Sequence, residues 1–192
     1  MLDIEKVFLF SDSDKRDSFR AQIVRKDLDE EYLFSSKNTE DVVQFCWLQG
    51  MKFYDVIATG YPGIYLVSEK IQYILIGSGF NGYILRPITL KDKKDISISG
   101  YKLLSIISKV GSIENEKSFK KMMPPIVSWE DPYEAYIGLY FDVFTWDKSH
   151  FFYPEGTSFI FVVEEVKRLF EQKKVTNCRF NKVIDLENYN FL

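Results

Sequence analysis

With 192 residues, 46% of them apolar and 17% aromatic, the chain can bury a sizeable core; this excludes intrinsic disorder and suits a single domain, at most two packed halves. No apolar run reaches bilayer length, and two cysteines, Cys46 and Cys178, cannot make a disulfide framework. A net charge of -3 and a pI near 5.4 point away from nucleic acid and towards a basic partner.

The opening Met1-Leu2-Asp3-Ile4-Glu5-Lys6 is acidic and lacks the basic start of a signal peptide, so a cytoplasmic location is expected. Residues 6–10 read as a strand followed by a polar turn, and Phe19, Ala21 and Ile23 alternate with polar residues as a second strand would. The acidic run 27–31 reads as a solvated face. Asn38 or Thr39 looks like a helix N-cap, and the helix behind it would bury Val42, Val43, Phe45, Cys46 and Trp47 and stop at Gly50. Residues 53–57 are extended, and Gly60-Tyr61-Pro62-Gly63 is a turn.

Residues 64–90 and 160–186 read as two copies of one strand-helix-strand unit. Laid over each other without a gap, they match Val67 with Val163, Glu69 with Glu165, Asn81 with Asn177 and Ile88 with Ile184. In the second copy Val166, Leu169 and Phe170 form the buried stripe of the helix. Glu164 and Glu165 suit its positive end, and Lys173 and Lys174 its negative end. Ser68 is the N-cap expected in the first copy, where Tyr73 and Ile74 take the places of Leu169 and Phe170.

Between the copies, Ile96 and Ile98 alternate with serines, and residues 101–107 form a stronger strand. Met122-Met123-Pro124-Pro125 marks a joint between halves 1–123 and 124–192. Residues 135–146 predict a central strand, with Ile137, Leu139, Phe141 and Val143 on one face and Trp146 on the other. The expected class is α+β: mostly antiparallel strands with a few helices, built around the two strand-helix-strand repeats.

Gly77-Ser78-Gly79-Phe80-Asn81-Gly82 matches the dinucleotide fingerprint, but that motif must open a helix. The residues after it read as extended and include Pro87. His150, the only histidine, lies near Asp147 and Ser149, yet neighbours in one tight turn do not hold a base between a nucleophile and an acid. One histidine and two distant cysteines do not make a usual metal site. No cofactor, metal or catalytic residue is therefore expected. Carboxylate pairs such as Asp29 with Glu31 and Glu130 with Asp131 keep a small hydrolase open as an alternative. The remaining constellation is Trp129, Glu130, Asp131, Tyr133 and Glu134, an indole, a phenol and three carboxylates in a loop-like segment. Trp and Tyr dominate interface hot spots, and the carboxylates would steer a basic partner onto it. The same aromatics could instead close over the core.

Three stretches carry a family likeness. They are Tyr54-Asp55-Val56-Ile57 with residues 64–70, Tyr101-Lys102-Leu103-Leu104-Ser105-Ile106, and Phe151-Phe152 through residues 160–167 to Thr176-Asn177. Together they resemble bacterial immunity proteins of polymorphic-toxin systems, the groups called immunity protein 11 and immunity protein 43. The likeness spans residues 53–186, and Glu164 stands where a serine is more typical. The resemblance implies a non-enzymatic cytoplasmic protein that neutralises a cognate protein toxin by occluding it, with no catalytic residues to carry over. Composition adds the expectation of no nucleic-acid and no membrane partner. A structural module without a toxin partner is the other alternative.

Overall fold

The computed structural model describes residues 2–24, 41–124 and 132–188, and for 133–136 and 187–188 the backbone alone. In chain order the first elements are β1 (Val7–Ser11), β2 (Arg20–Ile23), β3 (Val43–Gln49), β4 (Val56–Ala58), β5 (Tyr65–Ser68) and α1 (Glu69–Ser78). Next come β6 (Tyr83–Arg86), β7 (Ile88–Lys91), β8 (Ser97–Ile98), β9 (Tyr101–Ile106), β10 (Lys109–Val110) and β11 (Phe119–Met123). The last are β12 (Tyr133–Ile137), β13 (Phe151–Pro154), β14 (Ile160–Val163), α2 (Glu164–Gln172), β15 (Arg179–Lys182) and β16 (Glu187–Asn188). The class is α+β with mostly antiparallel pairing.

Two sheets carry the repeats. One has the order β4-β5-β9-β6 and the other β10-β13-β14-β1-β15. The runs Tyr65-Leu66-Val67 and Ile160-Phe161-Val162-Val163 are buried throughout, as strands covered on both faces must be. Helix α1 buries Ile71 and Leu75, and α2 buries Val166 and Phe170. Phe10 of β1 joins the two sheets. Its ring centroid lies 5.4 Å from Tyr65, 6.1 Å from Phe170 and 5.6 Å from Phe180.

The two repeats share one hydrogen-bond plan at a constant displacement of 95 residues. Val56 pairs with Val67 as Phe151 pairs with Val162, and Ile57 with Leu66 as Phe152 with Phe161. Leu104 of β9 lies between Tyr65 and Leu85, and Phe10 of β1 lies between the corresponding Ile160 and Phe180. The left-handed residues after the helices coincide too, Gly79 with Lys174 and Gly82 with Asn177. The gapless match in the sequence is thus one residue out of register. Leu75, not Ile74, takes the place of Phe170. A further difference is that the strand inserted between the two strands of the first repeat follows it in the chain, as β9, whereas that of the second is the N-terminal β1.

Several expected elements change. The helix over 42–49 is instead β3, bonded to antiparallel β2 and parallel β7. Val43 and Phe45 are buried while Gln44 between them is exposed, the period of a strand. Asn38 and Thr39, its proposed caps, lie outside the described residues. The strand expected over 135–146 ends at Ile137. Phe141 then makes a single bridge to Ile113, and residues Val143–Thr145 form a 3₁₀ turn capped by the Asp142 carboxylate. Apolar alternation continues past Gly138, but the β12 ladder does not: Gly138 and Leu139 N–H donate to the Leu186 and Val183 carbonyls, outside any regular pairing. Tyr133 and Glu134 lie not in a loop but on β12, opposite Met123 and Met122. Ser68 does occupy the N-cap position of α1, yet its hydroxyl bonds Asp55 rather than a helix N–H. A boundary between Met123 and Pro124 would leave β1 apart from the strands it joins, β14 and β15.

Candidate interaction surface

Each repeat's helix-to-strand turn holds the outer strand of the other repeat. In the second turn, Thr176 N–H and Oγ1 both donate to Asp55 Oδ2 at 2.8 Å, and Asp55 N–H donates to Thr176 Oγ1 at 3.0 Å. Val56 N–H then donates to the Thr176 carbonyl. In the first turn, Asn81 occupies the place of Thr176 and His150 that of Asp55. His150 N–H donates to Asn81 Oδ1 at 3.0 Å, and Phe151 N–H donates to the Asn81 carbonyl. The geometry is reciprocal, and the charges are inverted. Lys70 Nζ reaches Asp55 Oδ2 at 3.1 Å, whereas Glu165, the counterpart of Lys70, is the acid that acts on His150.

Neither junction is built for proton transfer. Burial works to raise the Asp55 carboxyl, but donors from Thr176, Ser68 and Lys70 outweigh it and hold it below the ordinary value. An ionised carboxylate with this many donors is a structural acceptor. His150 Nδ1 lies 2.6 Å from Asn81 Oδ1, an acceptor, so Nδ1 carries the hydrogen. Its ring lies 4.7 Å from that of Phe80, and burial holds its pKa below the usual value. Asp147 accepts from Ser149 N–H, so no Ser-His-Asp relay forms. The Gly77 to Gly82 motif closes α1 instead of opening a helix, the wrong end for a pyrophosphate. Burial pushes the Cys178 thiol up to about 11, far from a reactive thiolate. Among the described residues no group of three or more His, Cys, Asp or Glu could hold a metal ion. No described helix is long and apolar enough to cross a membrane.

The surface carries the stronger signal. On α2, Arg168 pairs with Glu164 at 3.0 Å and Lys167 with Glu171 at 2.9 Å, a solvated helix face. The residues of α1 in the places of Arg168 and Glu171 are Tyr73 and Ile76, which are 74% and 70% exposed. A second apolar site is the end of β3 and the segment after it, where Leu48 is 38% exposed, Met51 73% and Phe53 40%. Trp129, Glu130 and Asp131, as well as Asp29 and Glu31, lie outside the described residues, and Tyr133 and Glu134 are described only as backbone on β12. Sequence reasoning missed Tyr73 and Ile76 because the one-residue slip aligned Tyr73 with Leu169, expected in the buried stripe of α2 but in fact half-buried beside buried Val166 and Phe170. Read in the correct register, apolar residues opposite an ion-paired arginine and glutamate are a signal. Compared with known proteins, the chain matches no family model and no curated protein.

Proposed function

We propose that this is a non-catalytic binding protein of the immunity type, acting in the cytoplasm to neutralise a cognate protein toxin by covering it. The observation that carries the reading is the contrast between the two repeat helices. One plan of hydrogen bonds has produced two helices in equivalent settings. One presents ion pairs to water and the other presents Tyr73 and Ile76. Exposed aromatic and aliphatic residues side by side on a rigid helix are the composition of an interface centre. The junction side chains support the same reading, because their hydrogen bonds are spent on joining the repeats.

The test is co-expression with any toxin-like domain that a neighbouring gene encodes, followed by titration of purified protein into a toxin activity assay. Occlusion predicts protection that reaches its limit at one chain per toxin and a complex that survives gel filtration. Protection by far less than one chain per toxin would mean turnover, and absence of protection would remove the toxin as partner.

A further inference from the structure

We propose that Asn81 is a site of spontaneous deamidation: the backbone nitrogen of Gly82 attacks its side chain, and the aspartate formed places a carboxylate against His150. Asn81-Gly82 is the only Asn-Gly pair in the chain. This route needs a following residue with no side chain to block the approach, and the fold demands such a residue here. Gly82 has φ +91°, and a Cβ on it would run into the Phe151 carbonyl, so only glycine fits. Its N–H donates to no backbone carbonyl among the described residues, and Asn81 is exposed to water. The side-chain carbonyl is prepared as well. Asn81 Oδ1 accepts from His150 N–H at 3.0 Å and lies 2.6 Å from the hydrogen-bearing Nδ1. Two donors on one amide oxygen draw electron density from Cγ, and they face the charge that develops on that oxygen as the ring closes. The second repeat has Thr176-Asn177 at this place, and a threonine has no amide to lose.

The reaction is balanced with water as the only other reactant. The Gly82 nitrogen loses its proton and bonds to Asn81 Cγ. The bond from Cγ to Nδ2 breaks, and that nitrogen leaves as ammonia. Water then opens the cyclic imide at either carbonyl, giving aspartate or isoaspartate, and nothing is oxidised or reduced. In the aspartate, a carboxylate stands where the amide oxygen already meets both His150 donors. Among the described residues, Glu165 on α2 is the one charged group that acts on His150. Phe80 and Asn81, on the turn after α1, are neutral, and Asp147 in its own turn accepts from Ser149 N–H. A carboxylate in direct contact with the ring favours the imidazolium. The first junction thereby acquires a carboxylate-cation pair like that of Asp55 with Lys70 in the second. The isoaspartate acts differently, because it lengthens the backbone where Gly82 has no room to shift.

The experiment incubates the purified full chain at mildly alkaline pH and follows it by peptide mass mapping and by proton NMR of the imidazole. His150 is the only histidine, so the imidazole signal reports it alone. Asn81 should convert ahead of the other asparagines. A second imidazole signal should grow in step, titrating about one pH unit or more above the first. Asn81→Asp, made directly, should reproduce that signal. His150→Leu keeps the backbone donor and removes the ring donor, so it should slow the conversion. If Asn81 stays intact in the folded chain, whether or not it converts in urea, the proposal is overturned. Faster conversion in His150→Leu would show that the ring restrains the amide, and would overturn its part in the reaction. A new signal that titrates where the old one did would overturn the charge pair. Should Asn81→Asp fail to fold, the mass and NMR record of the incubated wild-type chain still decides.

Discussion

Single residues set the conformations on which the surface and the junctions depend. Replacing Gly50 with alanine forces a side chain into the Ser18 carbonyl at a left-handed φ, so stability should fall by about 2 kcal/mol or more in a urea titration. His150 makes a pH prediction. Burial in the folded chain holds its pKa below the ordinary 6.5, so the unfolded chain binds the extra proton more readily. Stability should therefore decline as pH falls below about 6.5 and level off beneath the lowered folded value, and His150→Asn should flatten that part of the profile. Asp55 acts at lower pH. Its depressed value contributes stability above the ordinary 3.8 that disappears as pH falls through the folded value. Thermal melts of wild type and His150→Asn carried from pH 8 down to about pH 2 separate the two. A slope between pH 5 and 7 that persists in the variant would assign it to another group. Neither junction was legible in the sequence, because Asp55 and Thr176 are far apart in the chain and meet only when the two repeats interlock.

At the scale of elements, the two helices do the same structural work with different outer faces. Tyr73→Glu with Ile76→Lys would recreate the charged character of α2 on α1. The double variant should change stability by less than about 0.5 kcal/mol, since both side chains are exposed, while toxin protection should drop sharply. Retained protection with a normal melt would place the contact elsewhere. The strand-helix-strand units were legible because a buried β-branched run followed by residues spaced for a helix has few other readings. Strand β3 was not, since Val42, Val43, Phe45, Cys46 and Trp47 satisfy a helical and a strand spacing alike. Its partners β2 and β7 decide the matter by pairing with its backbone. The segment over 138–146 shows the converse. Alternation predicted a strand, but only Phe141 finds a bridge partner there among the described residues.

For the whole molecule, β1 is the element that ties the chain together. It is inserted between β14 and β15 in the second repeat's sheet, and Phe10 also touches Tyr65 of the first. Phe10→Ala should cost about 3–5 kcal/mol, the usual loss for a buried phenylalanine. Because the side chain bridges both sheets, near-UV circular dichroism and hydrogen exchange in β5 and β14 should report one shared transition. Two separate transitions would show that the repeats fold independently.

The sequence by itself determined the α+β class, the two repeated units, the buried runs of β5 and β14 and the acidic start of α2. All of these depend on local spacing of apolar and charged residues, which the chain displays directly. Only the tertiary structure decided the displacement of 95 residues, the insertion of β1 between β14 and β15, and the reciprocal hold of Thr176 on Asp55 and Asn81 on His150. A shift of one residue leaves an all-apolar strand apolar, so composition cannot fix its register, whereas backbone hydrogen bonds accept one alignment. The exposure of Tyr73, Ile76 and Met51 belongs with these. An apolar side chain is surface or core according to what packs beside it, and its neighbours here come from distant parts of the chain.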